Sequence, residues 1–266
     1  MLLGIEIGGT KLQAGVCDTR ARLRVLVRRS VMREKGAAGI LRQLEEIIPP
    51  LLRVHRIQKI GVGFGGPFDT VRGRVVRSFH ISGWDGFELK RWFERRFKRP
   101  TVAENDTNCA TLAEAVIGAG RGKRRVFYTN VGTGIGGGLA IDGRLYRGRF
   151  GAMEIGHTRL WHRDKWVIVE TVSSGLAIER GTSTVEQAAR CFGVAVANVI
   201  TLLNPDIVVV GGGVSLAGER FFKPLRATVR RSVFAPFRHN FKIVPAGLGE
   251  SVVVVGAALL AAGRGC

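Results

Sequence analysis

No two cysteines lie near one another in this 266-residue chain: Cys17, Cys109, Cys191 and Cys266 are scattered, without a CxxC pair. That spacing signals neither a disulfide framework nor a cysteine zinc site. Long apolar runs are missing too. None reaches the roughly 18 to 20 residues that a spanning helix needs, and the longest, Val252 to Ala262, reads as a buried helix. The opening Met1-Leu2-Leu3-Gly4-Ile5 meets Glu6 before an apolar stretch of signal-peptide length develops. A cytoplasmic protein with no membrane partner is the expectation. Acidic residues are scarce as well, 21 against 41 Lys and Arg, for a net charge of +20. Such an excess suits polyanionic partners, but charge speaks to solubility and non-specific binding rather than to fold. The arginines are spread along the chain, so a soluble basic surface is the plainer reading, and no specific nucleic-acid partner is expected.

What is abundant is hydrophobic residues (45%) and glycine (37 residues), enough for a core with many tight turns. Apolar runs of strand length alternate with helical patterns, which indicates an α/β class. Strands are expected at Leu2–Ile7, Leu12–Cys17, Leu23–Val31, Lys59–Phe64 and Thr101–Glu104. Helices are expected over Ala38–Leu52, ended by Pro49-Pro50, over Phe87–Phe97, and over Thr107–Ile117. A second series then begins: a strand at Arg125–Asn130, a glycine-rich turn from Gly132 to Gly138, and a returning strand at Leu139–Ile141. A helix over Gln187–Leu203 stops at Asn204-Pro205, and a buried strand, Ile207–Val210, runs into Gly211-Gly212-Gly213. Each half thus opens with a strand hairpin turned on glycine, a duplicated organisation too diverged for a sequence repeat.

Three glycine turns follow strands: Gly8-Gly9-Thr10-Lys11, Gly132-Thr133-Gly134-Ile135-Gly136-Gly137-Gly138, and Gly211-Gly212-Gly213. Amides in such turns can approach phosphate oxygens without side-chain charge. One turn alone means little, because glycine in a turn often serves only a positive φ. Neither a P-loop nor a dinucleotide fingerprint is present. Three turns in one α/β chain favour a nucleotide held between two lobes. Asn105-Asp106-Thr107-Asn108 stands between a strand and a helix, where capping is the plain structural reading. Glu154, His157 and Glu170 are uninformative singly.

As an ordered set these stretches resemble the ROK family of repressors, open reading frames and sugar kinases. Gly4-Ile5-Glu6-Ile7-Gly8-Gly9-Thr10-Lys11 looks like its first phosphate motif and Gly61-Val62-Gly63-Phe64-Gly65-Gly66-Pro67-Phe68-Asp69 like its glycine-proline-aspartate segment. Glu104-Asn105-Asp106-Thr107-Asn108 looks like its catalytic motif, and Gly132 to Gly138 like its second phosphate motif. Glu154-Ile155-Gly156-His157 and Glu170 to Gly175 match its sugar-contacting stretches, and Asn204-Pro205 with Gly211-Gly212-Gly213 its adenosine end.

The resemblance implies an actin-like ATPase (ribonuclease-H-like) α/β fold with two lobes and an active-site cleft between them. The N-terminal lobe would span 1–106, with a helix at about 252–266 packing back on it, and the C-terminal lobe 107–251. It implies ATP-dependent phosphorylation of a hexose, glucose being the first choice. Asp106 would be general base, while Asn105, Glu154, His157 and Glu170 would hold the sugar. Gly8, Gly9, Thr10, Lys11, Gly132, Thr133, Gly134, Gly136, Gly211, Gly212 and Gly213 would bind ATP and its phosphates, with Mg²⁺. A homodimer is compatible with the family.

Three departures stand out. Glu6 replaces the usual aspartate, and remains an acid near the metal. His80 stands where many members have asparagine. The segment Trp161 to Ile168 carries no cysteine where members usually have a CxCGxxGC cluster, so no zinc is expected. Zinc-less short relatives include polyphosphate-dependent glucokinases, which keeps polyphosphate as an alternative donor that +20 of charge would suit. A non-catalytic sugar-sensing DNA-binding regulator is the rival of another class. Family repressors carry a helix-turn-helix ahead of the first phosphate motif, which here begins at Gly4, and retention of Asp106 and the glycines also speaks against it.

Overall fold

The computed structural model describes residues 1–78, 81–149, 151 and 153–265; the position read at His80 and the fourth cysteine, Cys266, lie outside them. In chain order the first elements are β1 (Leu2–Ile7), β2 (Lys11–Cys17), β3 (Leu23–Ser30), α1 (Gly36–Val54), β4 (Lys59–Phe64), β5 (Phe68–Asp69), β6 (Arg74–Val75), α2 (Leu89–Phe97), β7 (Thr101–Asn105) and α3 (Asp106–Val116). There follow β8 (Arg125–Val131), β9 (Ile135–Ile141), β10 (Arg144–Tyr146), β11 (Arg159–His162), β12 (Lys165–Ile168), α4 (Val169–Ser173), α5 (Gly175–Glu179) and α6 (Val185–Leu203). The last are β13 (Ile207–Gly211), α7 (Glu219–Ser232), β14 (Ile243–Pro245) and α8 (Val252–Ala261).

Two compact units emerge. One holds Met1–Ala113, Gly143–Ala152 and Glu250–Cys266; the other holds Glu114–Asp142 and Met153–Gly249. In the first, β1 pairs antiparallel with β2 and parallel with β4, and β7 pairs parallel with β4, for an order β3-β2-β1-β4-β7. All six residues of β1 are buried, as expected of a strand covered on both faces. The helix α8 covers one face, and its approach is close enough to need glycine. A Cβ on Gly4 would collide with the Val254 carbonyl, one on Gly61 with the Ala257 carbonyl, and one on Gly256 with the Cys109 carbonyl. These glycines serve backbone-to-backbone packing.

α1 departs from the expected stop at Pro49-Pro50: it runs on to Val54. Proline disfavours a helix interior because it lacks an N–H and crowds the preceding turn. Here Ile47, Ile48 and Leu51 are buried in the same core as Ile40 and Leu44, and that burial holds the final turn in place.

In the second unit β8 pairs antiparallel with β9 and parallel with β13, which in turn pairs parallel with β14. The order β9-β8-β13-β14 repeats β2-β1-β4-β7, so the duplication read from the sequence is a duplication of topology. The glycine-rich stretch is less of a turn than expected, since Gly136, Gly137 and Gly138 lie inside β9. A Cβ on Gly137 would sit 2.9 Å from the Met153 carbonyl, with which the residue forms a bridge. Helices α6 and α7 pack together over this sheet, around Phe192, Phe221 and Leu225. α6 starts on a capping box in which Thr184 and Gln187 satisfy each other's backbone amides.

Candidate active site

The catalytic-motif residues sit where β7 ends and α3 begins. Glu104 is 1% exposed, and its Oε1 accepts hydrogen bonds from the Asn105 amide (2.9 Å), Asn108 Nδ2 (3.1 Å) and Thr70 Oγ1 (3.1 Å). Its Oε2 accepts from Arg147 Nε at 2.6 Å. Asn105 is the cap of α3: its Oδ1 accepts from the amides of Thr107 (2.8 Å) and Asn108 (3.1 Å), while its Nδ2 donates to the Gly66 carbonyl at 3.1 Å. The capping role read for this stretch therefore falls to Asn105, and Asp106 is left at the first helical position. The partial positive charge of a helix N-terminus supports an anion there. Asp106 Oδ1 accepts from the Thr107 amide at 2.7 Å, and Oδ2 faces Gly65, where a Cβ would approach it to 3.1 Å.

Glu6 lies close by in the same unit. Burial raises its pKa from 4.5 to about 7; Lys11, whose Nζ is 3.3 Å from Oε1, opposes that rise, and the negative charge of Asp106 adds to it. Among the described residues its Oε2 is buried with no hydrogen-bond partner. Gln13, opposite Glu6 in the β1–β2 register, is buried with both ends of its amide likewise unpartnered among them. An orphaned carboxylate oxygen beside buried amide groups fits a small hard cation, which takes oxygen ligands and needs only one or two carboxylates when it travels with phosphates. The thiol of Cys109 is held well above its ordinary range, by burial first and then by the charges of Glu104, Asp106 and Glu6, with Arg147 opposing.

The first glycine turn is closed by the Gly8 amide donating to the Lys11 carbonyl at 3.0 Å. Among the described residues no hydrogen bond ends on the amides of Gly9 or Thr10, a concavity of the kind that takes phosphate oxygens. Lys11 is held by Glu6 and by the Glu250 carbonyl, 3.2 Å from Nζ.

In the second unit, the turn at Gly132 to Ile135 is pinned from both sides. The Gly132 amide donates to the Gly134 carbonyl (2.9 Å) and the Gly175 amide to the Gly132 carbonyl (2.6 Å). Glu170 Oε2 accepts from the Ile135 amide at 2.7 Å, and a Cβ on Gly134 would lie 2.7 Å from that same oxygen. One oxygen of Glu170 thus orders the phosphate-motif turn. Glu154, His157 and Glu170 are brought together: the surrounding protein desolvates the Glu154 carboxyl and raises its pKa, with His157 opposing and Glu170 adding. The side chains of Glu154 and His157 make no hydrogen bond among the described residues.

At the third turn, Gly211 closes β13 and Gly212 has φ +86°, with a Cβ driven into the backbone of Val131. A Cβ on Gly213 would meet nothing within 4 Å, so open space lies beside it. Where the zinc cluster was absent from the sequence, β11 and β12 form a hairpin with Trp161 opposite Trp166. Among the described residues, no group of three or more His, Cys, Asp or Glu could hold a metal ion, and no helix is long and apolar enough to cross a membrane.

The sequence reading gave Glu104 no role of its own and did not pick out Thr70, Gln13 or Arg147. Glu104 stood beside the catalytic pair and was readable as part of the motif. Arg147 gave no signal among 41 basic residues.

Paired sheets of like topology, each opening on a glycine-turned hairpin, form the mixed α/β scaffold of the actin-like ATPases, and solved structures of that fold match nearly the whole chain. A ROK family glucokinase from Streptomyces griseus, in complex with glucose and AMPPNP, is 29% identical with a TM-score of 0.85, covering 98% of each chain. An inorganic polyphosphate/ATP-glucomannokinase from Arthrobacter is 27% identical with a TM-score of 0.78, again covering 98% of each. The glucokinase of Thermotoga maritima is 28% identical over 303 residues, 97% of this chain and 96% of that one. The sequence profile of the ROK family matches residues 2–184 and 171–264, and the chain belongs to that family. It is a sugar kinase, and sugar phosphorylation is its chemistry.

Proposed function

We propose that the chain transfers the γ-phosphoryl group of ATP to a hydroxyl of a hexose, with glucose the first substrate to test and Asp106 as general base. The two units are read as the N-terminal and C-terminal lobes of the kinase fold. The observation that carries the mechanism is the placement of Asp106: first in α3, on a turn held by the carboxylate of Glu104 and the side-chain oxygen of Asn105. Phosphoryl transfer needs positioning, charge stabilisation and an acceptor for one proton. The hydroxyl oxygen forms a bond to the γ-phosphorus as the bond to the bridging β,γ-oxygen breaks. The hydroxyl proton passes to an Asp106 carboxylate oxygen, and ADP leaves with the electron pair.

Glu154 and His157 are read as hydrogen-bond partners of sugar hydroxyls, since among the described residues their side chains make no hydrogen bond, and the second oxygen of Glu170 as a third. Asn105 reaches the sugar, in this reading, through its Nδ2 group. The turns at Gly8-Gly9-Thr10-Lys11 and Gly132-Thr133-Gly134, with Gly136 beyond, receive the phosphates. Gly211-Gly212-Gly213 borders the nucleoside, beside the open space at Gly213. Glu6, with Gln13 beside it, would hold the Mg²⁺ that accompanies ATP; that ion supplies charge neutralisation at the phosphates. ADP release measured over a panel of hexoses, hexosamines and N-acylated sugars tests the reading. An Asp106→Asn protein that keeps more than half its activity overturns the role of Asp106.

The polyphosphate reading is favoured by the Arthrobacter relative and by the +20 charge. Faster turnover with polyphosphate than with ATP would put it first. Activity without zinc is proposed from the cysteine-free β11–β12 hairpin; stoichiometric zinc after dialysis, with activity restored by zinc alone, would refute it. A salt-dependent DNA shift would favour the regulator instead.

A further inference from the structure

We infer that Arg147 is a positioning residue for the phosphoryl-acceptor chemistry, acting on Asp106 through the buried carboxylate of Glu104. The inference rests on the reading of Asp106 as proton acceptor.

Arg147 follows β10, within the short segment Gly143–Ala152 that the contacts group with the first unit. Its Nε donates to Glu104 Oε2 at 2.6 Å, and the arginine is 29% exposed where the carboxylate is 1% exposed. The other oxygen of Glu104 gathers the Thr70 hydroxyl, the Asn105 amide and the Asn108 side chain. One carboxylate therefore ties together three pieces of chain. Thr70 belongs to the hairpin that follows the glycine-proline-aspartate segment. Asn105 and Asn108 flank Asp106 itself. Arg147 comes from the segment that leads toward Glu154.

The physical demand is strict. All three donors on Oε1 require Glu104 to accept, and an ionised carboxylate accepts only. A carboxylate with so little water needs an opposite charge, or it takes up a proton and becomes a donor at one oxygen. Among the described residues Arg147 is the only cation paired with it. Remove that charge and the carboxylate of Glu104 loses the hydrogen bond and counter-charge that hold its Oε2. Its hold on the Asn105 amide and the Asn108 side chain then slackens, and the turn carrying Asp106 loses its fixed geometry. Misplacement of a reacting group by about 1 Å can cost roughly a hundredfold in rate, while groups that bind sugar from elsewhere are untouched.

The test is steady-state kinetics, with the hexose of highest turnover, on five variants of the whole chain: Arg147→Met, Arg147→Lys, the double variant Arg147→Met with Glu104→Gln, Asp106→Asn, and Arg144→Met as a control. Thermal unfolding is recorded for each. In Arg147→Met, kcat should fall by roughly ten- to a hundredfold, with the sugar KM changed less than about twofold. Arg147→Lys should recover a good part of kcat, since the charge returns without the planar Nε geometry. The double variant should exceed Arg147→Met in kcat, because a neutral amide in place of Glu104 no longer needs a counter-charge. Arg144→Met, at an exposed arginine of β10, should behave as the unaltered enzyme.

A folded Arg147→Met protein with kcat within twofold overturns the inference, as does a loss seen only in KM. If Arg147→Met does not fold, Arg147→Lys decides alone: kcat lowered with KM held supports the inference, and unchanged kcat overturns it. An active Asp106→Asn protein would sink the underlying mechanism instead, whatever Arg147 does.

Discussion

The turn around Asp106 and the stretch around Glu154 treat their polar atoms in opposite ways. Around Asp106, Glu104 and Asn105 give nearly every acceptor to their own chain, and the carboxylate of Glu104 is sealed from water. Around Glu154, the side chains of Glu154 and His157 are exposed and make no hydrogen bond among the described residues. The first arrangement fixes a backbone; the second keeps hydrogen-bonding capacity for something else. The comparison teaches that the proposed proton acceptor and the proposed sugar-binding groups have different surroundings. A base must stand still, whereas a hydroxyl-binding group must have open acceptors and donors.

The largest effect is expected at Asp106 itself. Asp106→Asn should lower kcat by at least about a hundredfold while sugar affinity, measured by calorimetry, persists. Retained activity would mean that the rigid turn serves only structure. Next comes stability. Glu104→Leu leaves the partly buried Arg147 without its partner and should cost roughly 3–5 kcal/mol in urea unfolding. Glu154→Gln, on the other side of the comparison, should stay within roughly 0.5 kcal/mol and raise the sugar KM. Equal losses in the two proteins would erase the distinction.

A third test uses pH. The folded-state pKa of Glu6 lies at about 7 against 4.5 ordinarily, chiefly through burial, with Lys11 opposing and Asp106 and Glu250 adding. The folded protein thus holds a proton that the unfolded chain has given up between those values. The stability Glu6 contributes is complete below about 4.5 and is lost as pH rises through about 7. The difference amounts to about 3 kcal/mol. Glu6→Gln should flatten that slope; an unchanged slope would assign it to other groups. Magnesium, which needs the ionised carboxylate, should bind more tightly as pH rises over the same window, as titration of the metal against the protein would report.

The smallest effect is expected at Gly213, and its neighbour Gly212 supplies the contrast. Gly213→Ala adds a methyl into open space and should change stability by less than about 1 kcal/mol, while raising the KM for ATP more than for sugar. Gly212→Val, strained at φ +86° and driven into Val131, should fail to accumulate as folded protein. A Gly212→Val protein that folds normally would show that the third turn can yield.

Much was legible in the sequence because it lay in local pattern. The buried strands β1, β4 and β13, the hairpins turned on glycine and the order of the motifs follow from residue type and spacing over a few positions. So does the acidic residue opening α3. What the tertiary structure decided required residues distant in the chain to meet. α1 continues past Pro49-Pro50 because Leu51 finds a core to enter, which outweighs a local preference. Gly4 and Gly61 looked like motif glycines, and their necessity comes from α8 pressing on the sheet, as that of Gly256 comes from α8 pressing on Cys109 of α3. Arg147 reaches Glu104 across 43 residues of chain, a pairing that no periodicity encodes. Local physics names the groups able to do chemistry. Long-range packing decides which of them are sealed, and a sealed carboxylate takes its meaning from the cation placed against it.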